Sequence, residues 1–281
     1  MKLTIAAVAA SLALAGCVSD CGRGNDFLIA HRGESFDAPE NTLPAYKTAV
    51  ERGFGFECDI YLSSDKRLFT FHDGNLRRTT DGANTNVCTA VDWEGTVSKL
   101  NVGGWGKWKG SKFDPTRPAL LEEVLALARP GRKIYVEVKG DNPAWVPYIK
   151  ETFAKEPKAT PETVLFISFG QKVCAELKRK MPEFKTYWLV GSNKAKDVSK
   201  LIGTLRGLGV DGVDMSYSPE IVTAEYIGEV KRAGFEFHVW TIDNPAKAAE
   251  ALGRGAQTVT TNRAKFIADA LSGAGAKCSR D

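Results

Sequence analysis

Phe27-Leu28-Ile29-Ala30-His31-Arg32-Gly33 is a short apolar run that stops abruptly at an imidazole, a guanidinium and a glycine. A buried strand that ends in side chains able to do chemistry is the opening of a βα unit, and the rest of the chain repeats the unit. Seven more β-branched or aromatic runs follow, at residues 54–61, 133–139, 164–168, 186–190, 212–215, 235–241 and 258–261. Stretches of helical period alternate with them, near residues 42–52, 120–128, 145–155, 171–180, 198–208, 223–233, 245–252 and 263–271. Eight strands alternating with eight helices predict an α/β fold, a TIM-type (β/α)8 barrel. Punctuation agrees: Asn41 and Thr42 are candidate caps for the first helix, Pro44 suits its first turn, and Gly53 and Gly234 are helix stops.

Residues 62–118 break the repeat, being too long for a βα loop and dense in Gly, Trp, Asn and Asp. They predict a small inserted subdomain after strand 2, at about residues 75–118, within a barrel spanning 26–273 and followed by a tail at 274–281. Insertions at the strand C-terminal ends cover a barrel's mouth and shape its pocket. A length of 281 residues with 43% hydrophobic and 26% charged residues suits one globular domain and excludes disorder or a multi-span membrane protein. The net charge of +4 comes from 38 basic and 34 acidic residues scattered along the chain, without the basic run that nucleic acid demands. Nothing in the sequence fixes an oligomeric state.

Met1, Lys2 and the apolar stretch 3–15 have the charged start and short greasy core of a secretory signal, too short to cross a bilayer. The stretch ends in Leu14-Ala15-Gly16-Cys17, which resembles the lipobox of bacterial lipoproteins. This predicts a signal peptide over 1–16, lipidation of Cys17, a linker over 17–25 and a membrane partner through the lipid anchor. The location expected is the bacterial cell envelope, facing the periplasm or the exterior. Of the six cysteines, Cys17, Cys21, Cys58, Cys88, Cys174 and Cys278, five remain once Cys17 carries lipid, so at least one thiol is free. Cys21 and Cys278 flank the folded region and could bridge. No Cys-x-x-Cys spacing supports a thiolate zinc site.

His31 and Arg32 stand at the C-terminal end of the first strand, the catalytic end of a barrel. Glu57 and Asp59 lie two apart on the second, so both face one way while Cys58 faces the other. Two carboxylates on one interior face repel unless a cation lies between them, and oxygen ligands favour Mg²⁺ or Ca²⁺ over zinc. The following residues read as a hairpin, and a tight turn at Ser64-Asp65 would set His72 opposite Glu57. Glu137 and Lys139 repeat the two-apart pattern, pairing an acid with an ammonium suited to a phosphate oxygen. Trp240, at a strand end, would line the pocket, whereas His238 reads as barrel packing. Replacing the repelling acids, Glu57→Gln or Asp59→Asn, is expected to leave the fold intact.

These landmarks together resemble the glycerophosphodiester phosphodiesterases, relatives of phosphatidylinositol-specific phospholipase C. The matching text is His31-Arg32-Gly33, Pro39-Glu40-Asn41-Thr42, Glu57-Cys58-Asp59, His72-Asp73, Glu137-Val138-Lys139 and Val239-Trp240-Thr241, in family order from 27 to about 266. The resemblance implies one divalent cation on Glu57, Asp59 and Glu137, with His31 and His72 as general acid and base. Arg32 and Lys139 would contact phosphate, and Asp73 would orient His72. The implied reaction is metal-dependent hydrolysis of a small glycerophosphodiester to glycerol phosphate and an alcohol. Rival readings are a phospholipase C- or D-like lipid phosphodiesterase and a lipid-anchored, non-catalytic barrel that binds a phosphate ligand. Two positions depart from the family: Gly170 stands where Ser-Phe-Asp is common, and Asn262 where Thr-Asp closes the pattern.

Overall fold

The computed structural model describes residues 25–82 and 85–278. The strands are β1 (Leu28–Ala30), β2 (Gly55–Leu62), β3 (Leu68–Thr70), β4 (Ile134–Val138), β5 (Val164–Ser168), β6 (Thr186–Val190), β7 (Gly212–Ser216), β8 (Glu236–Trp240) and β9 (Val259–Thr261). β1 pairs in parallel with both β2 and β9, which closes eight parallel strands into a barrel, while β3 hangs antiparallel on β2 outside the ring. Helices α1 (Leu43–Glu51), α2 (Leu121–Leu125), α3 (Val146–Ala154), α4 (Gln171–Lys180), α5 (Val198–Leu208), α6 (Ala224–Arg232), α7 (Pro245–Gly253) and α8 (Ala264–Cys278) surround it. The fold is the TIM-type barrel that the repeat predicts.

Period-two alternation sorts the strand residues. Phe56, Cys58 and Ile60 join the apolar layer between sheet and helices. A second, smaller cluster around Ile29, Tyr135, Leu165, Ile167, Tyr187 and Leu189 fills the barrel's interior. Burying such side chains is worth roughly 1.5–3 kcal/mol each, and this is what pins the strand registers. The interior positions left to polar groups, Glu57, Asp59 and Glu137, are therefore held by a rigid apolar frame.

The hairpin register differs by one residue from the expectation. A three-residue loop, with Lys66 in the left-handed region, pairs Ser63 with Arg67 and carries Leu62 opposite Leu68 and Ile60 opposite Thr70. A two-residue turn at Ser64-Asp65 would have required Ser63 to face Lys66, so the slip follows from loop length. From Phe71 onward the chain makes three short 3-10 helices, Cys88–Ala90, Val97–Lys99 and Gly106–Trp108, before α2. This segment carries its own cluster of Phe69, Phe71, Leu76, Cys88, Trp93 and Val97.

The segments 1–16 and 17–24, with Cys17 and Cys21, lie outside the described residues, as do 279–281. Cys58, Cys88 and Cys174 are buried free thiols. Among the described residues no helix is long and apolar enough to cross a membrane.

Candidate active site

The chain leaves β1 through a turn with Arg32 at φ 57° and Gly33 at φ 75°. Only glycine fits the second position, because a Cβ there would lie 2.6 Å from the Ala45 carbonyl carbon. The turn aims the Arg32 backbone N–H at Glu57 Oε2, 2.8 Å away, and brings His31 Nε2 within 4.0 Å of the same oxygen. Arg32 itself carries the strain of a left-handed non-glycine residue, a cost of order 1–3 kcal/mol that is common at functional sites.

Register places the carboxylates together: Asp59 on β2 lies directly beside Glu137 on β4. Oxygens of Glu57, Asp59 and Glu137 fall within 4.8 Å of one another, and all three residues are buried. Lys139 Nζ sits 2.6 Å from Asp59 Oδ1 and 2.7 Å from Glu137 Oε1, and Arg32 Nε lies 3.5 Å from Asp59 Oδ2. Lys139 thus touches carboxylates where a phosphate contact is expected. Three acids face two cations, and the strain of that imbalance is unevenly shared. Burial resists ionisation of Asp59, but Lys139 and Arg32 outweigh it and hold its carboxyl well below the usual range. Burial and the neighbouring Asp59 and Glu137 charges push Glu57 well up, and burial with Asp59 pushes Glu137 up to about 7.

Asn41 proves to be a site residue instead of a helix cap. Thr42 is the cap of α1, its hydroxyl accepting from Ala45 N. Asn41, at φ 56°, donates through Nδ2 to Asp59 Oδ2 at 2.7 Å and accepts from Asp59 N at 3.1 Å. Tyr46 fixes the amide by donating its hydroxyl to Asn41 Oδ1 at 2.8 Å.

Each of the two mouth histidines has its Nδ1 fixed. His72 Nδ1 lies 2.7 Å from Asp73 Oδ1, the expected orienting contact. Asp73 is held low, at about 2, first by hydrogen bonds from Arg78. His31 Nδ1 lies 2.7 Å from Asn262 Oδ1. Asn262 Nδ2 donates to Asp243 Oδ2 at 2.7 Å, which turns the amide oxygen toward the ring. Nδ1 of His31 therefore carries the proton and Nε2 is left to face the carboxylates. Burial and the adjacent Arg32 lower His31 to about 4, and burial also lowers His72.

Trp240 stands at the end of β8, edge-on to the half-exposed Phe169 with ring centroids 5.7 Å apart. His238 lies deeper, stacked on Tyr187 at 4.3 Å with Nδ1 2.7 Å from Thr258 Oγ1, well inside the barrel packing. Gly170 begins α4 at a place where a Cβ would meet the Gly140 carbonyl oxygen and Asp141. Asp141 Oδ1 accepts from Lys172 N and Val173 N there, so the cap comes from the neighbouring βα loop. Glu40, Asn41, Asn262, Asp243 and Arg78 are the contacts that residue-by-residue reading does not assign. The first three stand in motif text or at a family departure, whereas Asp243 carries no sequence signal.

A closed (β/α)8 barrel with a carboxylate cluster and two imidazoles at the strand C-terminal ends belongs among the barrel enzymes. Residues 31–265 match the Glycerophosphoryl diester phosphodiesterase family. The chain belongs to this family, and with it to the phosphoric diester hydrolases. It is 40% identical over 124 residues to a probable glycerophosphodiester phosphodiesterase 1 of Mycobacterium tuberculosis, a match covering 41% of this chain and 43% of that relative. A glycerophosphodiester phosphodiesterase of Caldanaerobacter subterraneus is 27% identical over 241 residues, 84% of this chain and 93% of the relative. The fold superposes, with a TM-score of 0.77, on an Oleispira antarctica phosphodiesterase in complex with the product sn-glycerol-3-phosphate, at 25% identity and covering 87% of this chain and 96% of that one.

Proposed function

We propose that this protein hydrolyses small glycerophosphodiesters to glycerol phosphate and an alcohol, with Mg²⁺ or Ca²⁺ held by Glu57, Asp59 and Glu137. The observation that carries the reading is the convergence of three buried carboxylates within 4.8 Å beneath two imidazoles. The donor set fits a hard cation: Glu57 Oε1 is buried with no hydrogen-bond partner among the described residues, and burial together with the neighbouring carboxylates makes both glutamates resist ionisation. When bound, such a cation supplies charge neutralisation for the phosphate.

The chain's own groups do the rest. Arg32 and Lys139 contribute positive charge toward the phosphate oxygens. One histidine takes the proton of the attacking hydroxyl as its oxygen bonds to phosphorus, and the other gives a proton to the departing alcohol as the phosphorus–oxygen bond breaks. The attacker in this reading is the substrate's own glycerol hydroxyl, and water then opens the cyclic phosphate. Phe169 and Trp240 offer an aromatic wall to the alcohol side. The test is release of glycerol phosphate from a panel of glycerophosphodiesters, with phospholipid and cyclic phosphate as controls. Cleavage of phospholipid alone would turn the assignment to the lipid-directed rival, and binding without cleavage to the non-catalytic barrel.

We place the protein in the cell envelope, anchored by lipid on Cys17, on the strength of Leu14-Ala15-Gly16-Cys17. Cys17→Ser should release the protein from the membrane fraction with turnover unchanged, and membrane retention would refute the anchor.

A further inference from the structure

We propose that Arg78 is a positioning residue for the reaction, a guanidinium on the inserted segment that locks His72 and Asp73 to the Arg32–Glu40 pair of the barrel. The proposal rests on the reading of His72 as a proton-transfer group. No sheet ladder includes that histidine: the β2–β3 pairing ends at Thr70, and the nearest backbone bonds flank it, Phe71 N to Asp59 O before it and Cys88 N to Gly74 O after it. The direction of its ring is set by side chains.

Those side chains form one continuous relay. Arg78 Nε donates to Asp73 Oδ2 at 2.7 Å and Nη2 to Asp73 Oδ1 at 2.9 Å, a two-pronged grip on the carboxylate that accepts from His72. The same guanidinium donates from Nη1 to Glu40 Oε2 at 2.9 Å and from Nη2 to Glu40 Oε1 at 2.6 Å. Glu40 Oε1 also accepts from Arg32 Nη1 at 2.8 Å. One planar group thus ties the imidazole's partner to the phosphate cation's partner, and the Trp105 ring 5.8 Å from Arg78 supports it from the insertion. An ammonium cannot reproduce this, since the grip uses the fixed fork of a guanidinium on two carboxylates at once.

An exposed ion pair would normally matter little, and the Arg78 side chain is 42% exposed. Here its partners are the groups that aim the site, so the expected loss is in rate. In the full chain, Arg78→Gln and Arg78→Lys should each lower kcat by about 10- to 100-fold, with a smaller change in KM. In Arg78→Gln the limb of the pH profile set by His72 should move to higher pH, because the Asp73 charge then acts on the imidazolium without a guanidinium sharing it. Guanidinium ion should restore part of the kcat of Arg78→Ala, and methylammonium should not. If Arg78→Gln melts early, Arg78→Lys decides, because it keeps the stem and the charge and loses only the fork. His72→Ala is measured alongside. If His72→Ala is inactive while both Arg78 variants keep kcat and the pH profile, the proposal is overturned alone. If His72→Ala keeps turnover, the reading of His72 falls and the proposal with it.

Discussion

His31→Ala and His72→Ala should each lower turnover of a glycerophosphodiester by at least about 10²-fold, the range a positioned acid or base supplies. Cation binding should change far less, because charge at the centre stays with the carboxylates, Arg32 and Lys139. Geometry motivates the expectation. His31 presents Nε2 toward Glu57 with Nδ1 committed to Asn262, and His72 has Nδ1 committed to Asp73, so each ring keeps one nitrogen for substrate. Since one ring must work neutral and the other protonated, the unaltered enzyme should show a bell-shaped pH profile. Steady-state rates at saturating substrate check both points. Near-full turnover in the two variants would remove the histidines from the mechanism.

Glu57→Gln and Asp59→Asn should part company, although both are buried metal-ligand candidates on one strand. Burial and like charge push Glu57 up, so neutralising it relieves repulsion and should leave the cation-free protein as stable as before. Asp59 is the reverse case. Its carboxylate faces Lys139 at 2.6 Å and Arg32 at 3.5 Å, and Asn41 donates to it. Asp59→Asn takes a shared carboxylate from Lys139 and Arg32, which keep only Glu137 and Glu40, and should cost up to about 3–5 kcal/mol, the usual penalty for breaking a buried pair by removing one partner. The charge balance around Asp59 thus leads to a different expectation from the one that repulsion between the two acids alone gives. Thermal melting in chelator separates the two variants, and calorimetry with Mg²⁺ or Ca²⁺ should find binding lost in both. Equal melting of Asp59→Asn and the unaltered protein would contradict the charge balance described here.

The barrel was readable because each strand is a compact apolar run and each helix has its own period, so local pattern and tertiary role agree. The carboxylates were readable for the same reason: a two-residue period on a strand assigns Glu57 and Asp59 to one face without any structure. Where a side chain's role depends on loop length or on a distant partner, the pattern was silent. His72 reached the mouth despite a hairpin register one residue away from the one expected, because it lies past the end of the ladder. Lys139 reads as a phosphate contact, and what that reading lacks is its bond to Asp59, because the register that sets the two side by side lies between β2 and β4, far apart in sequence. Asn262 looks like a minor family departure, and only its approach to His31 across the closing strands gives it a role.

The central claim is that the chemistry runs on a cation held by Glu57, Asp59 and Glu137, and the most direct measurement is the rate of glycerol phosphate release before and after exhaustive chelation, with metal then restored. The account predicts that chelation abolishes release and that Mg²⁺ or Ca²⁺ brings it back. Full activity in the chelated protein would contradict it and leave the three carboxylates without their proposed role.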